Sequence, residues 1–149
     1  MAIDVQVAPA LRRKVQKTEI RKWAETALRA EGLTRLPDMA IVITDDESIQ
    51  ALNRDFRGVD EPTDVLAFGD EKAGPFVFAP GEPLYLGDVV ISLERAEAQA
   101  LERGASVKDE LQVLLIHGIL HLLGYDHDEE EQTQMWSRQD AILQTLSAQ

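Results

Sequence analysis

Ile3-Asp4-Val5-Gln6-Val7 alternates apolar and polar side chains, the period of a strand with one buried face. From about residue 10 to 30 the period changes: Leu11, Val15, Ile20, Trp23, Ala24, Ala27 and Leu28 recur mostly at three or four. This predicts a helix, with Pro9 in its first turn and Gly32 beyond its end. Met39 to Thr44 is a short β-branched run and reads as a buried strand. Asp45 or Asp46 caps a helix over about 46–55 that turns Ile49 and Leu52, and with them Phe56, inward. Arg54 to Asp64 reads as a polar loop, Val65–Phe68 as a strand, and residues 69–84, rich in proline and glycine, as an irregular connection. Leu86–Ser92 predicts another strand, and Ser92 caps a helix that runs to about Arg103 and stops at Gly104. Ser106 with Asp109 signals the start of a helix apolar on nearly every side, from Leu111 to Leu123. Asp128 with Glu131 signals a last helix to about Leu146.

Interspersed strands followed by an accumulation of helices predict an α/β sandwich: a mixed sheet of about four strands packed by helices. The length, 149 residues, suits a single domain over residues 1–149. No stretch approaches a membrane span, and Met1-Ala2-Ile3-Asp4-Val5 lacks the pattern of a secretory signal. Cysteine is absent, which excludes disulfides and thiolate metal ligands and fits a cytoplasmic setting.

Within the apolar helix lies the concentration of chemistry. All three histidines of the chain fall between His117 and His127. His117 and His121 are one helical turn apart and share a face. Gly124 offers a reversal that can return His127 toward them. Three imidazoles with an open fourth position are the ligand set of a catalytic zinc ion. The spacing matches the extended zincin pattern H-E-x-x-H-x-x-G-x-x-H, giving a zincin-like histidine helix. Its glutamate, the general base of the peptidases, is replaced here by Gly118.

The net charge of −12 is unevenly placed: residues 1–60 are neutral, and the remainder carries all of it. An acidic field slows the approach of a polyanion. The dense cationic segment around Arg12, Arg13, Lys17 and Arg21 reads first as a solvated helix face. If the chain meets RNA, those four residues are its expected contacts, with affinity that falls steeply as salt is added.

Three segments resemble one family. Asn53-Arg54-Asp55-Phe56-Arg57 with Pro62 to Phe68 is similar to the N-x-x-[FY]-R…PTDVLSF segment of the YbeY endoribonucleases, with Ala67 where serine is usual. Leu86 to Ser92 resembles their LGDIVIS strand, and His117 to His127 their H-G-x-L-H-L-x-G-Y-D-H signature. The resemblance implies a metal-dependent, single-strand-specific endoribonuclease. It would act in ribosomal RNA maturation, at the 3′ end of the 16S rRNA of the small subunit, and in ribosome quality control, with the ribosome or small-subunit proteins as partners. It implies one zinc ion on His117, His121 and His127, and a functional role for Arg57. Zinc lowers the pKa of a bound water to about 7, and an arginine suits the charge that builds on a phosphate. His117 and Arg57 are then the expected catalytic residues. Asp126 is open to two readings, orienting a ligand ring or not; Asp64 and Asp88 are explained equally well by packing and turn hydrogen bonds. Two other functions remain: a zinc hydrolase acting on a peptide or amide, and a non-catalytic ribosome assembly factor with a structural metal.

Overall fold

A computed structural model describes residues 3–69, 85–125 and 129–148 of the chain. Four strands, β1 (Ile3–Val7), β2 (Asp38–Thr44), β3 (Val65–Gly69) and β4 (Tyr85–Ser92), form one sheet in the order β1-β2-β4-β3. β1, β2 and β4 are parallel, and β3 runs antiparallel along β4 as an edge strand. The mixed sheet is therefore as expected, and no strand end differs from the sequence reading by more than one residue.

Alternation within the strands divides the core. Ile3, Val5 and Val7, with Met39, Ile41, Ile43, Val89 and Ile91, face the helices α1 (Lys17–Ala30), α4 (Val107–Leu122) and α5 (Glu129–Ser147). Val42, Leu66, Phe68 and Val90 face the other way and pack with Ile49 and Leu52 of α2 (Asp46–Arg57). Helix α3 (Leu93–Arg103) follows β4 directly and contributes Leu93 and Ala96 to the larger cluster. Helix α4 is central: Leu111, Leu114, Leu115, Ile116, Ile119 and Leu120 are all buried. Each such side chain contributes about 1.5–3 kcal/mol when fully removed from water. Three caps follow the sequence: Asp45 accepts from the Ser48 N–H, Ser92 from that of Arg95, and Ser106 from that of Asp109.

Two boundaries differ from expectation. The helix anticipated over 10–30 begins only at Lys17. Pro9–Leu11 is a single 3-10 turn, and the Lys14 N–H bonds back to the Leu11 carbonyl. Gln16 is extended at φ −110 and ψ 119, which breaks the helical path. Leu11 and Val15 pack on the core from this turn, so their spacing of four reflects burial without a continuous helix. The second difference is in α2, which continues through Arg54–Arg57, residues expected in a loop. Gly58, at φ 72, supplies the left-handed cap that ends it. The expected Asp128 cap and nearly all of the 69–84 connection lie outside the described residues.

Candidate active site

The capped start of α4 and its buried flanks place His117 and His121 one turn apart, both half-buried. Their Nε2 atoms are 3.1 Å apart, and the rings meet edge to face at 81° with centroids 4.6 Å apart. Two nitrogens at about 2.0–2.1 Å from a tetrahedral ion lie about 3.3–3.4 Å from each other. The pair is thus within a few tenths of an ångström of a two-ligand edge, and imidazole suits zinc and its neighbours. Among the described residues no third His, Cys, Asp or Glu joins it. His127, the expected third ligand, and Asp126 lie outside those residues.

Gly118 acquires a structural reason. A Cβ built there would stand 2.8 Å from Val89 Cγ1 and 3.4 Å from Val65 Cγ2. The absent side chain lets α4 lie directly on β3 and β4. The position that holds the base in zincin peptidases is here a packing contact, and the histidines are carried close to the edge of the sheet.

Arg57 is the last residue of α2, exposed at the corner where the chain reverses. The reversal is secured from within the helix. Gly58 N–H bonds to Arg54 O, and Val59 N–H to Asn53 O. Asn53, only 4% exposed, donates from Nδ2 to the Glu61 carbonyl at 2.9 Å. Gln50 donates to Asp60 Oδ1 at 3.0 Å. Asp55 pairs with Arg54 and Asp60 accepts from Gln50; among the described residues Arg57 forms no ion pair with either carboxylate. Asn53 belongs to the motif that carries Arg57, yet its clamp on the following loop was not anticipated; a buried asparagine in an amphipathic helix is the signal that could have found it.

Helix α2, which ends in Arg57, and α4, which carries the histidines, pack on opposite faces of the sheet. Gly118 packs at Val65, the start of that strand, while Leu122, beside His121, approaches Gly69 at its end. Phe68, one residue before Gly69, contacts Phe56, the neighbour of Arg57, with ring centroids 5.4 Å apart. The end of one edge strand therefore joins the arginine helix to the histidine helix.

The expected RNA contacts are more scattered. Arg12 and Arg13 are exposed in the turn before α1, and Lys17 is exposed at its start. Arg21 is half-buried, and its Nε donates to the Ile3 carbonyl at 3.0 Å, tying α1 to β1. Glu19, in the same turn of α1 as Lys17, pairs with Lys108 at the start of α4. At 1.5 Å per residue, Lys108 is about 14 Å from His117 and about 20 Å from His121 along the helix. The basic segment and the histidines thus occupy opposite ends of α4. Asp64 accepts from the Val65 N–H at 2.8 Å and from Gln99 at 3.2 Å, a turn-holding role. Asp88 accepts from the Tyr85 hydroxyl. That bond, reinforced by burial and the carboxylate's charge, pushes the phenol up to about 12.

A family model described as Endoribonuclease YbeY matches residues 6–147. The chain is 42% identical over 146 residues to a protein named Endoribonuclease YbeY from Roseiflexus castenholzii, covering 97% of this chain and 92% of that one. To the protein of the same name from Aquifex aeolicus it is 45% identical over 140 residues, covering 91% and 87%. Its fold matches the solution structure of TM1509 from Thermotoga maritima with a TM-score of 0.62, at 26% identity, covering 95% of this chain and 87% of that chain.

Proposed function

The chain belongs to the YbeY endoribonuclease family, and on that premise we propose that it is a zinc-dependent endoribonuclease that cuts single-stranded ribosomal RNA. Its place is the cytoplasm, in maturation of the small-subunit RNA 3′ end and in ribosome quality control, with the ribosome or small-subunit proteins as partners. No helix among the described residues is long and apolar enough to cross a membrane.

The observation that carries the reading is the convergence of His117 and His121 Nε2 on one point beside the strand that leads to the arginine helix. His117, His121 and His127 would hold the zinc. The ion supplies Lewis acidity toward the phosphate and makes water a stronger nucleophile at neutral pH. Arg57 would grip the non-bridging oxygens of the scissile phosphate, where its always-charged fork meets growing negative charge. The hydrogen bonds of Asn53 and Gln50 hold the corner that presents it. Arg12, Arg13 and Lys17 would contact RNA phosphates farther along the strand, toward the end of α4 away from the histidines. A peptidase of the H-E-x-x-H type is disfavoured, because Val89 occupies the space its glutamate would need.

The test pairs two variants on a single-stranded RNA. Arg57→Ala is expected to keep the fold and the parent's zinc content while losing about 100-fold or more in cleavage rate, the scale of one lost transition-state donor. His121→Ala is expected to lose both zinc and cleavage. Parent-like cleavage by both variants would remove this site from the reaction.

A further inference from the structure

Phe56 stands out on α2. It continues the inward stripe of Ile49, Leu52 and Asn53, three and four residues apart, yet 70% of it is exposed. Among the described residues, Phe68 of the edge strand is the ring's one aromatic neighbour, tilted at 60°. Arg57 follows it directly at the helix end, next to the left-handed Gly58. An exposed ring beside an exposed guanidinium has the two contacts that single-stranded nucleic acid uses: a face for a base and a charge for the phosphate. The same end of β3 carries Gly69 against Leu122, next to His121.

We propose that Phe56 is a substrate-binding residue on which one unpaired base of the RNA stacks, adjacent to the phosphate held by Arg57. The proposal rests on the endoribonuclease reading and deepens it. It gives a physical source for single-strand preference: a base can lie on the ring only if it is released from pairing and stacking in a duplex. It also gives weak sequence preference, since every base has a face to offer. An acidic protein with few phosphate contacts gains affinity here from a term that salt does not screen.

The test measures binding of the full-length, zinc-loaded protein to two oligonucleotides with 2′-O-methyl riboses, one bearing bases and one abasic, at equal charge. Phe56→Ala should weaken binding of the base-bearing strand by about 5- to 150-fold and leave the abasic strand unchanged. Phe56→Trp should restore the difference, and its indole emission should be quenched by the base-bearing strand alone. Equal binding of the base-bearing strand by parent and Phe56→Ala overturns the proposal, as does an equal loss on both strands, which marks a general disturbance of the helix end. Cleavage of unmodified RNA by the parent separates the two levels. If the parent cuts RNA while Phe56→Ala behaves as the parent in binding, the stacking role falls and the endoribonuclease reading stands. If the parent neither binds nor cuts RNA, both fall.

Discussion

Replacing Gly118 tests why the zincin pattern is broken at that position. A methyl group there would meet Val89 Cγ1 at 2.8 Å and Cγ2 at 3.2 Å. Val89 has little room to yield: it is fully buried, β-branched, and held in register on both sides, opposite Ile41 and Ala67. Overpacking of a tight core costs about 1–3 kcal/mol. Alanine in a helix interior regains about 1 kcal/mol over glycine. Gly118→Ala should therefore lose about 0–2 kcal/mol net, although a free helix would have gained. Gly118→Glu adds a carboxylate among buried side chains and should lose about 4 kcal/mol or more, a large share of the roughly 5–15 kcal/mol that holds a domain together. Urea unfolding followed by circular dichroism measures both, with the midpoint reporting stability and the slope reporting whether the unfolding remains comparable. Stabilisation of Gly118→Ala by the full 1 kcal/mol, or parent-like stability of Gly118→Glu, would show that α4 can withdraw from the sheet. The close approach would then not explain the missing glutamate.

Further outcomes follow from the caps and charges. Asp45 holds its carboxyl below the usual 3.8, first because the Ser48 N–H donates to it. A depressed folded value means that its contribution is present above pH 3.8 and is lost as pH falls through the lower folded value. Asp45→Ala should cost about 1 kcal/mol at neutral pH, and Asp45→Asn should keep most of the cap while flattening the acid limb of a pH–stability curve. Asn53→Ala frees the Glu61 carbonyl from its buried partner and should lower RNA cleavage through kcat with zinc content unchanged; loss of zinc instead would place Asn53 in the metal site. Arg12→Glu with Arg13→Glu should weaken RNA binding and reduce its dependence on salt, whereas unchanged binding would leave the segment as a solvated surface.

The sequence made the sheet and the histidine helix legible because their signals are local. Alternation in Ile3–Val7 and the run Leu86–Ser92 report burial residue by residue, and Ser92, Ser106 and Gly104 punctuate the helices where they fall. The start of α1 is not legible, because Leu11 and Val15 pack on the core half-buried from the non-helical stretch before it, and packing alone does not reveal the backbone path. The end of α2 was placed too early because Arg54, Asp55 and Arg57 look like loop residues, although exposed charges are equally at home on the outer face of a helix. Gly118 was legible as a missing base; that Val89 fills its place depends on residues 29 positions earlier and could only be seen in three dimensions. The distance between the basic segment and the histidines was likewise invisible until Lys108 and Glu19 set α1 beside the start of α4.

The central claim is that a metal held by the histidine helix makes this chain an RNA-cutting enzyme. It is tested most directly by following cleavage of one single-stranded RNA by the same protein before chelation, after removal of bound metal, and after zinc is returned. Cleavage is expected to disappear with the metal and recover with zinc, while His117→Ala with His121→Ala stays inactive throughout. Undiminished cleavage by protein verified as metal-free would contradict it.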